Sequence, residues 1–167
     1  MRSSTDIPGF HIRSATKADV PVIFAFIKKL AEYERLSHEV VATEELLRKT
    51  LFGRTRTAEV AIGYLARKPV GFALFFHNYS TFLGRPGIYI EDLFVDESHR
   101  RRGFGRALLL YVARLAKERD CGRLEWAVLD WNEPAINFYR KLGATPMSEW
   151  TVFRVTGENL KALASMT

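Results

Sequence analysis

The order of apolar and polar positions divides the chain into alternating strand and helix signals. Residues 1–9 are polar and expected to be disordered, and Phe10 to Ala15 reads as a first strand. Thr16 then stands as a helix N-cap with Asp19 three residues on, a variant of the capping box. Val20, Ile23, Phe24, Ile27, Leu30 and Ala31 recur at three- and four-residue steps, which predicts an amphipathic helix to about Glu34. Thr43 caps a short second helix through Leu51, with Leu46, Leu47 and Leu51 as its inner face. Ala58 to Ala66 and Val70 to His77 predict a hairpin turned at Arg67-Lys68-Pro69, and Asn78 to Gly87 a loop.

Ile88 to Val95 reads as a strand buried on both faces, interrupted by the adjacent carboxylates Glu91 and Asp92. On a regular strand neighbours point to opposite faces, so one carboxylate falls on each side, where an unpaired charge is costly. A cleft opening here accounts for the pair better than a salt bridge near a strand end. A helix from near Gly103 to about Glu118 follows, burying Leu108, Leu109, Val112 and Leu115, with Gly122 closing the turn. Leu124 to Leu129 predicts another strand. Asn132 caps a helix with Glu133 and Pro134 in its first turn, ended by Gly143. Trp150 to Val155 and Glu158 to Leu163 predict a last strand and a C-terminal helix. With no repeat or linker to divide it, residues 10–165 are expected to form a single domain.

Composition narrows the class. In 167 residues, 47% hydrophobic and 26% charged is ordinary for a globular chain. No apolar run reaches the ~18 residues of a membrane span, and no signal-peptide core opens the chain, so a soluble cytoplasmic protein is expected. The lone Cys121 excludes an internal disulfide, and the four histidines show no zinc-ligand spacing, so no metal is expected. A net charge of +6 raises nucleic acid as a partner. The basic cluster Arg100, Arg101, Arg102 and Arg106 surrounds a glycine turn instead of lining a helix face, however, and no nucleic-acid-binding pattern accompanies it.

That turn, Gly103-Phe104-Gly105, lies at the mouth of a helix. Glycines leave backbone N–H groups uncovered, and the helix dipole adds about half a positive charge there. This is an anion seat. It lacks the Lys-Ser/Thr ending of a Walker loop and the third glycine of a Rossmann turn, so a pyrophosphate held by amides fits best.

Arg100-x-x-Gly103-x-Gly105 after a strand resembles the acyl-CoA motif of the GNAT N-acetyltransferase superfamily. Trp131 to Tyr139 is similar to a second signature of its diamine (spermidine/spermine) acetyltransferase branch, and Leu30 to Glu34 and Glu91-Asp92 extend the likeness over roughly residues 10–160. The resemblance implies an α/β GNAT acyl-CoA N-acyltransferase fold, with a mixed, mostly antiparallel central sheet splayed at its middle and flanked by helices. It implies acetyl-CoA as co-substrate, held by the main chain of Leu93, Phe94 and Val95, by Arg100 to Arg106, and by Asn132, Pro134 and Ala135. Within that segment Arg101, Arg102, Gly103, Phe104, Gly105 and Arg106 supply the turn and its charge. Tyr33, Glu34, Glu91 and Asp92 are implied as amine contacts, Glu91 as proton acceptor and Tyr139 as the group at the coenzyme sulfur. Taken alone, Tyr139 would pass for a helical core aromatic and Glu32 to Glu34 for a solvated acidic helix end. Polyamine acetylators of this branch carry an acidic residue and a tryptophan where this chain has Ser80 and Phe82, which favours a diamine or amino-acid-like amine. The expected reaction is acetyl transfer to a primary amine of a small cation by direct attack in a ternary complex, in a homodimer. A protein or peptide acetyltransferase and a non-catalytic acyl-CoA-binding module stand as alternatives.

Overall fold

The computed structural model describes residues 2–166, with side chains from Thr5 onward. It divides into two compact units, residues 1–127 and 128–167.

The first unit is built on a sheet of six strands in chain order, β1 (Arg2–Ser4), β2 (Phe10–Ser14), β3 (Glu59–Leu65), β4 (Lys68–Ser80), β5 (Arg85–Val95) and β6 (Leu124–Trp126). All neighbours are antiparallel except β5 and β6, which run parallel. This is the mixed, mostly antiparallel sheet that was expected. Helices α1 (Val20–Tyr33) and α2 (Glu44–Phe52) cover one face, where Ile23, Phe26 and Leu51 pack with Val60, Ile62, Phe72 and Phe94. Helix α3 (Phe104–Glu118) joins the other layer of the core; Leu108 and Phe10 meet over Gly63, where a Cβ would come within 2.6 Å of the Phe10 ring.

Several expectations are corrected. Residues 2–4, expected to be disordered, form β1 because their backbone completes the edge of the sheet against residues 11–13; Met1 lies outside the described residues. In α1 it is Phe26 that is buried, while Phe24 lies nearer solvent under the Lys28 ammonium; helical spacing allowed either. Leu46 is half exposed, leaving Leu51 as the buried residue of α2. The β3–β4 turn falls one residue earlier, at Ala66-Arg67, with Ala66 left-handed at φ 55°. The predicted loop over 78–87 is mostly ladder, since Asn78, Tyr79 and Ser80 pair with Gly87, Pro86 and Arg85. After α3 the left-handed residue is Asp120, φ 53°, not Gly122. Gly122 instead donates to the Pro86 carbonyl at 2.8 Å, and a Cβ there would meet Leu83 at 2.8 Å.

The second unit contains α4 (Glu133–Lys141) and α5 (Gly157–Ala164). Residues 150–155, expected as a last strand, are not one, and the strand predicted to Leu129 stops at Trp126. Alternation specifies a strand only when a neighbouring backbone completes its hydrogen bonds.

Candidate active site

The chemistry converges on β5. Opposite it, Leu74 pairs with Asp92 but the next residue, Phe75, pairs with Ile90, so Glu91 is an extra residue with no partner across the β4 ladder. Such a bulge bends a strand and re-aims its side chains. Leu74 and Phe75 point to opposite faces, so Ile90 and Asp92 do too. The strand is therefore not regular, and the premise that puts one carboxylate on each face does not hold. Asp92 joins the face of Phe72 and Phe94, beneath α1, while Glu91 is left exposed at the kink.

Asp92 is partly buried, and among the described residues no cation is paired with it. Desolvation, reinforced by the charges of Glu91 and of Glu34 at the end of α1, pushes its carboxyl up to about 7. Glu34 is itself raised by burial. The structure thus gathers Glu34, Glu91 and Asp92, three of the four proposed amine contacts. The fourth, Tyr33, is next to Glu34 in the chain.

Beyond the bulge the sheet opens. The β5–β6 ladder has only the pairs Ile88–Leu124, Tyr89–Glu125 and Ile90–Trp126, while β5 runs on to Val95. From Glu91 to Val95 the edge away from β4 has no partner in β6, which is the splay that was expected. Phe94 sends its ring into the core and can offer a ligand only its main chain.

The chain then turns through Arg100 to Gly103 into α3. Arg101 and Gly103 are both left-handed, at φ 60° and 82°. Gly103 is the N-cap, and no side chain caps the helix. The first amides of a fifteen-residue helix are thus left to a ligand. A Cβ on Gly105 would touch only Val95, at an ordinary 3.7 Å, so the protein's own packing does not require glycine there. The space a side chain would take is open, as an amide cradle for a pyrophosphate requires. Arg101, Arg102 and Arg106 are exposed around it, with the Arg102 guanidinium 5.1 Å from the Phe104 ring centroid.

In the second unit Asn132 caps α4, its side-chain oxygen accepting from Ala135 N–H at 3.3 Å, with Pro134 in the first turn. Tyr139 lies on the same helix, its ring 5.2 Å from that of Phe138.

Sequence reasoning missed the raised carboxyl of Asp92, whose signal lies in register across two strands. It also missed the second role open to Arg100, which packs against Tyr33 at 4.2 Å. The β4–β5 tip offers no acid: Ser80 is buried and accepts from Leu83 N–H, and Phe82 is 94% exposed. Among the described residues no group of three or more His, Cys, Asp or Glu could hold a metal ion, and no helix is long and apolar enough to cross a membrane.

Comparison with known proteins finds a match over residues 27–144 to the family described as Acetyltransferase (GNAT) family. The chain is 37% identical to L-ornithine N5-acetyltransferase NATA1 of Arabidopsis thaliana, over 91% of this chain and 86% of that protein. It is 38% identical to the thialysine N-epsilon-acetyltransferase of Bos taurus, over 92% and 96%. Among solved structures, an integron cassette protein from V. cholerae superposes with a TM-score of 0.79 at 26% identity, covering 95% of this chain and 99% of that one.

Proposed function

The chain belongs to the GNAT acetyltransferase family, and on that premise we propose that it transfers an acetyl group from acetyl-CoA to the side-chain amine of a small cationic amino acid or diamine. The observation that carries this reading is Asp92, a partly buried carboxyl raised to about 7 beside two further acids at the point where the sheet opens. The relatives named for ornithine and thialysine support the substrate class. The absence of an acid at Ser80 and Phe82 favours these shorter cations over a long polyamine.

Acetyl-CoA supplies the activated acetyl group; the residues present fit it. The free amides at Gly103 to Arg106 accept the pyrophosphate, and Arg101, Arg102 and Arg106 balance its charge. The main chain of Leu93 to Val95, on the unpaired edge of β5, offers donors to the oxygen that gains charge during transfer. By the family resemblance, Asn132, Pro134 and Ala135 at the start of α4 would add contacts to the coenzyme.

The amine must lose a proton before it attacks. An alkyl ammonium has a pKa near ~10.4, and an ordinary carboxylate near ~4 is a poor acceptor. At about 7, Asp92 closes roughly half of that gap. The raised carboxyl of Asp92 therefore supports it as the proton acceptor in place of Glu91, favoured by sequence. Glu91, exposed at the kink, and Glu34 draw the cation in, and Tyr33 lines the same end. By the same resemblance Tyr139 of α4 would donate a hydrogen bond or proton to the coenzyme sulfur.

Coenzyme release from acetyl-CoA, measured with ornithine, thialysine, spermidine and an N-terminal peptide, tests the proposal. Faster release with ornithine or thialysine than with spermidine is expected. Release with the peptide alone would transfer the reading to a protein acetyltransferase, and binding without release would make the chain an acyl-CoA-binding module.

A further inference from the structure

We propose that Arg100 is a positioning residue for the amine site, clamping the C-terminal end of α1 to the end of β5 and so holding Tyr33 and Glu34, instead of serving the anion seat whose motif it opens. The proposal rests on the reading above that Tyr33 and Glu34 meet the amine.

Three contacts define the clamp. The Arg100 Nε–H donates to the Val95 carbonyl at 3.1 Å. The guanidinium carbon lies 4.2 Å from the centroid of the Tyr33 ring and 5.8 Å from that of Phe94. One side chain thus joins the last residue of β5, the core beneath it and the last turn of α1.

The neighbouring arginines behave differently. Arg100 keeps an extended backbone, φ −66° and ψ 166°, after the turn at residues 97–99, whereas Arg101 is left-handed and the chain swings into the glycine turn. Arg101 and Arg102 are exposed, but Arg100 is half-buried.

The end of α1 gains from such a hold. Past Tyr33 the helix unwinds through Glu34 to a left-handed Arg35, φ 61°, closed by local bonds from Glu34, Arg35 and Leu36 to the carbonyls of Leu30, Glu32 and Ala31. Tyr33 and Leu36 are each more than a third exposed. A guanidinium suits the task because its plane lies against an aromatic ring while Nε–H still donates in that plane; a lysine ammonium cannot do both.

Arg100→Gln and Arg100→Lys in the full chain test this. The expected result is a rise in the amine KM of about tenfold with kcat changed less than about threefold, and acetyl-CoA affinity by calorimetry held within about twofold. Arg102→Gln should show the reverse, weakening acetyl-CoA. Independently of turnover, amide hydrogen exchange at Glu34 to Leu36 should speed about tenfold in Arg100→Gln. Loss of acetyl-CoA affinity by about tenfold with an unchanged amine KM would return Arg100 to the anion seat, and unchanged exchange at Glu34 to Leu36 would remove the clamp. If the wild-type chain acetylates no amine, the functional reading fails, while exchange and coenzyme affinity still decide the role of Arg100.

Discussion

Two aspartates in the same unit, one buried and one partly buried, have opposite surroundings. Asp19, at the entry to α1, accepts from Arg13 at 2.8 and 2.7 Å, from the backbone N–H and hydroxyl of Thr16 at 2.7 and 2.8 Å, and from Tyr64 at 3.2 Å. The Arg13 guanidinium, itself 4.8 Å from the centroid of the Tyr64 ring, holds the Asp19 carboxyl well below the usual carboxylate range. Asp92 is held among Glu91 and Glu34, and burial drives it the other way, to about 7. A fold gains from a buried carboxylate only when its lone pairs and charge are met, as at Asp19. It loses at Asp92, and groups with that kind of strain concentrate where chemistry needs them. The difference separates a residue that secures the helix entry from one proposed to equip the site.

The sharpest way to break this comparison is to neutralise both. Asp92→Asn should lower turnover by about a hundredfold or more while the protein melts at the same temperature or higher at pH 8, checked by steady-state rates and thermal unfolding. A fall in melting temperature with intact turnover would make Asp92 structural. Asp19→Ala should do the opposite, costing about 2–4 kcal/mol in denaturant unfolding by stripping Arg13 and Thr16 of their partner, with a much smaller change in kcat than Asp92→Asn gives.

Tyr139→Phe should reduce kcat at least about tenfold but keep the acidic limb of the pH–rate profile, because that limb reports Asp92. A limb that moves with Tyr139, or that disappears in Glu91→Gln and persists in Asp92→Asn, would transfer the acceptor role away from Asp92.

The pH dependence of stability separates the two aspartates as well. A carboxyl raised in the folded state stabilises fully below its unfolded pKa, near ~3.9, and loses that contribution as pH rises through about 7. Asp19, lowered in the folded state, stabilises above its unfolded value and loses that contribution as pH falls through its depressed one. Wild type minus Asp92→Asn should therefore fall by at most about 4 kcal/mol between pH 4 and 8, with the Asp19→Ala difference nearly flat over pH 6–8. Unfolding midpoints measured at those pH values would show it.

How far the sequence spoke can be followed along the same residues. Thr16-x-x-Asp19, Thr43 and Asn132 announced their helices because a cap is a contact over three residues. Gly103 announced the mouth of α3 because a left-handed N-cap is a property of one residue. Hydrophobic spacing supplied the layers, but at Phe24 and Phe26 it could not say which ring turns inward, since that depends on what α1 packs against. Local chemistry thus determined the helices, their N-caps, the glycine turn at the mouth of α3 and the family signature. Tertiary structure alone decided that β4 pairs with β5 one residue out of step at Glu91, that Asp92 is thereby turned under α1 toward Glu34, and that Arg100 reaches Tyr33. Register and burial arise between segments distant in the chain, and the charge a carboxyl keeps depends on which of them surround it.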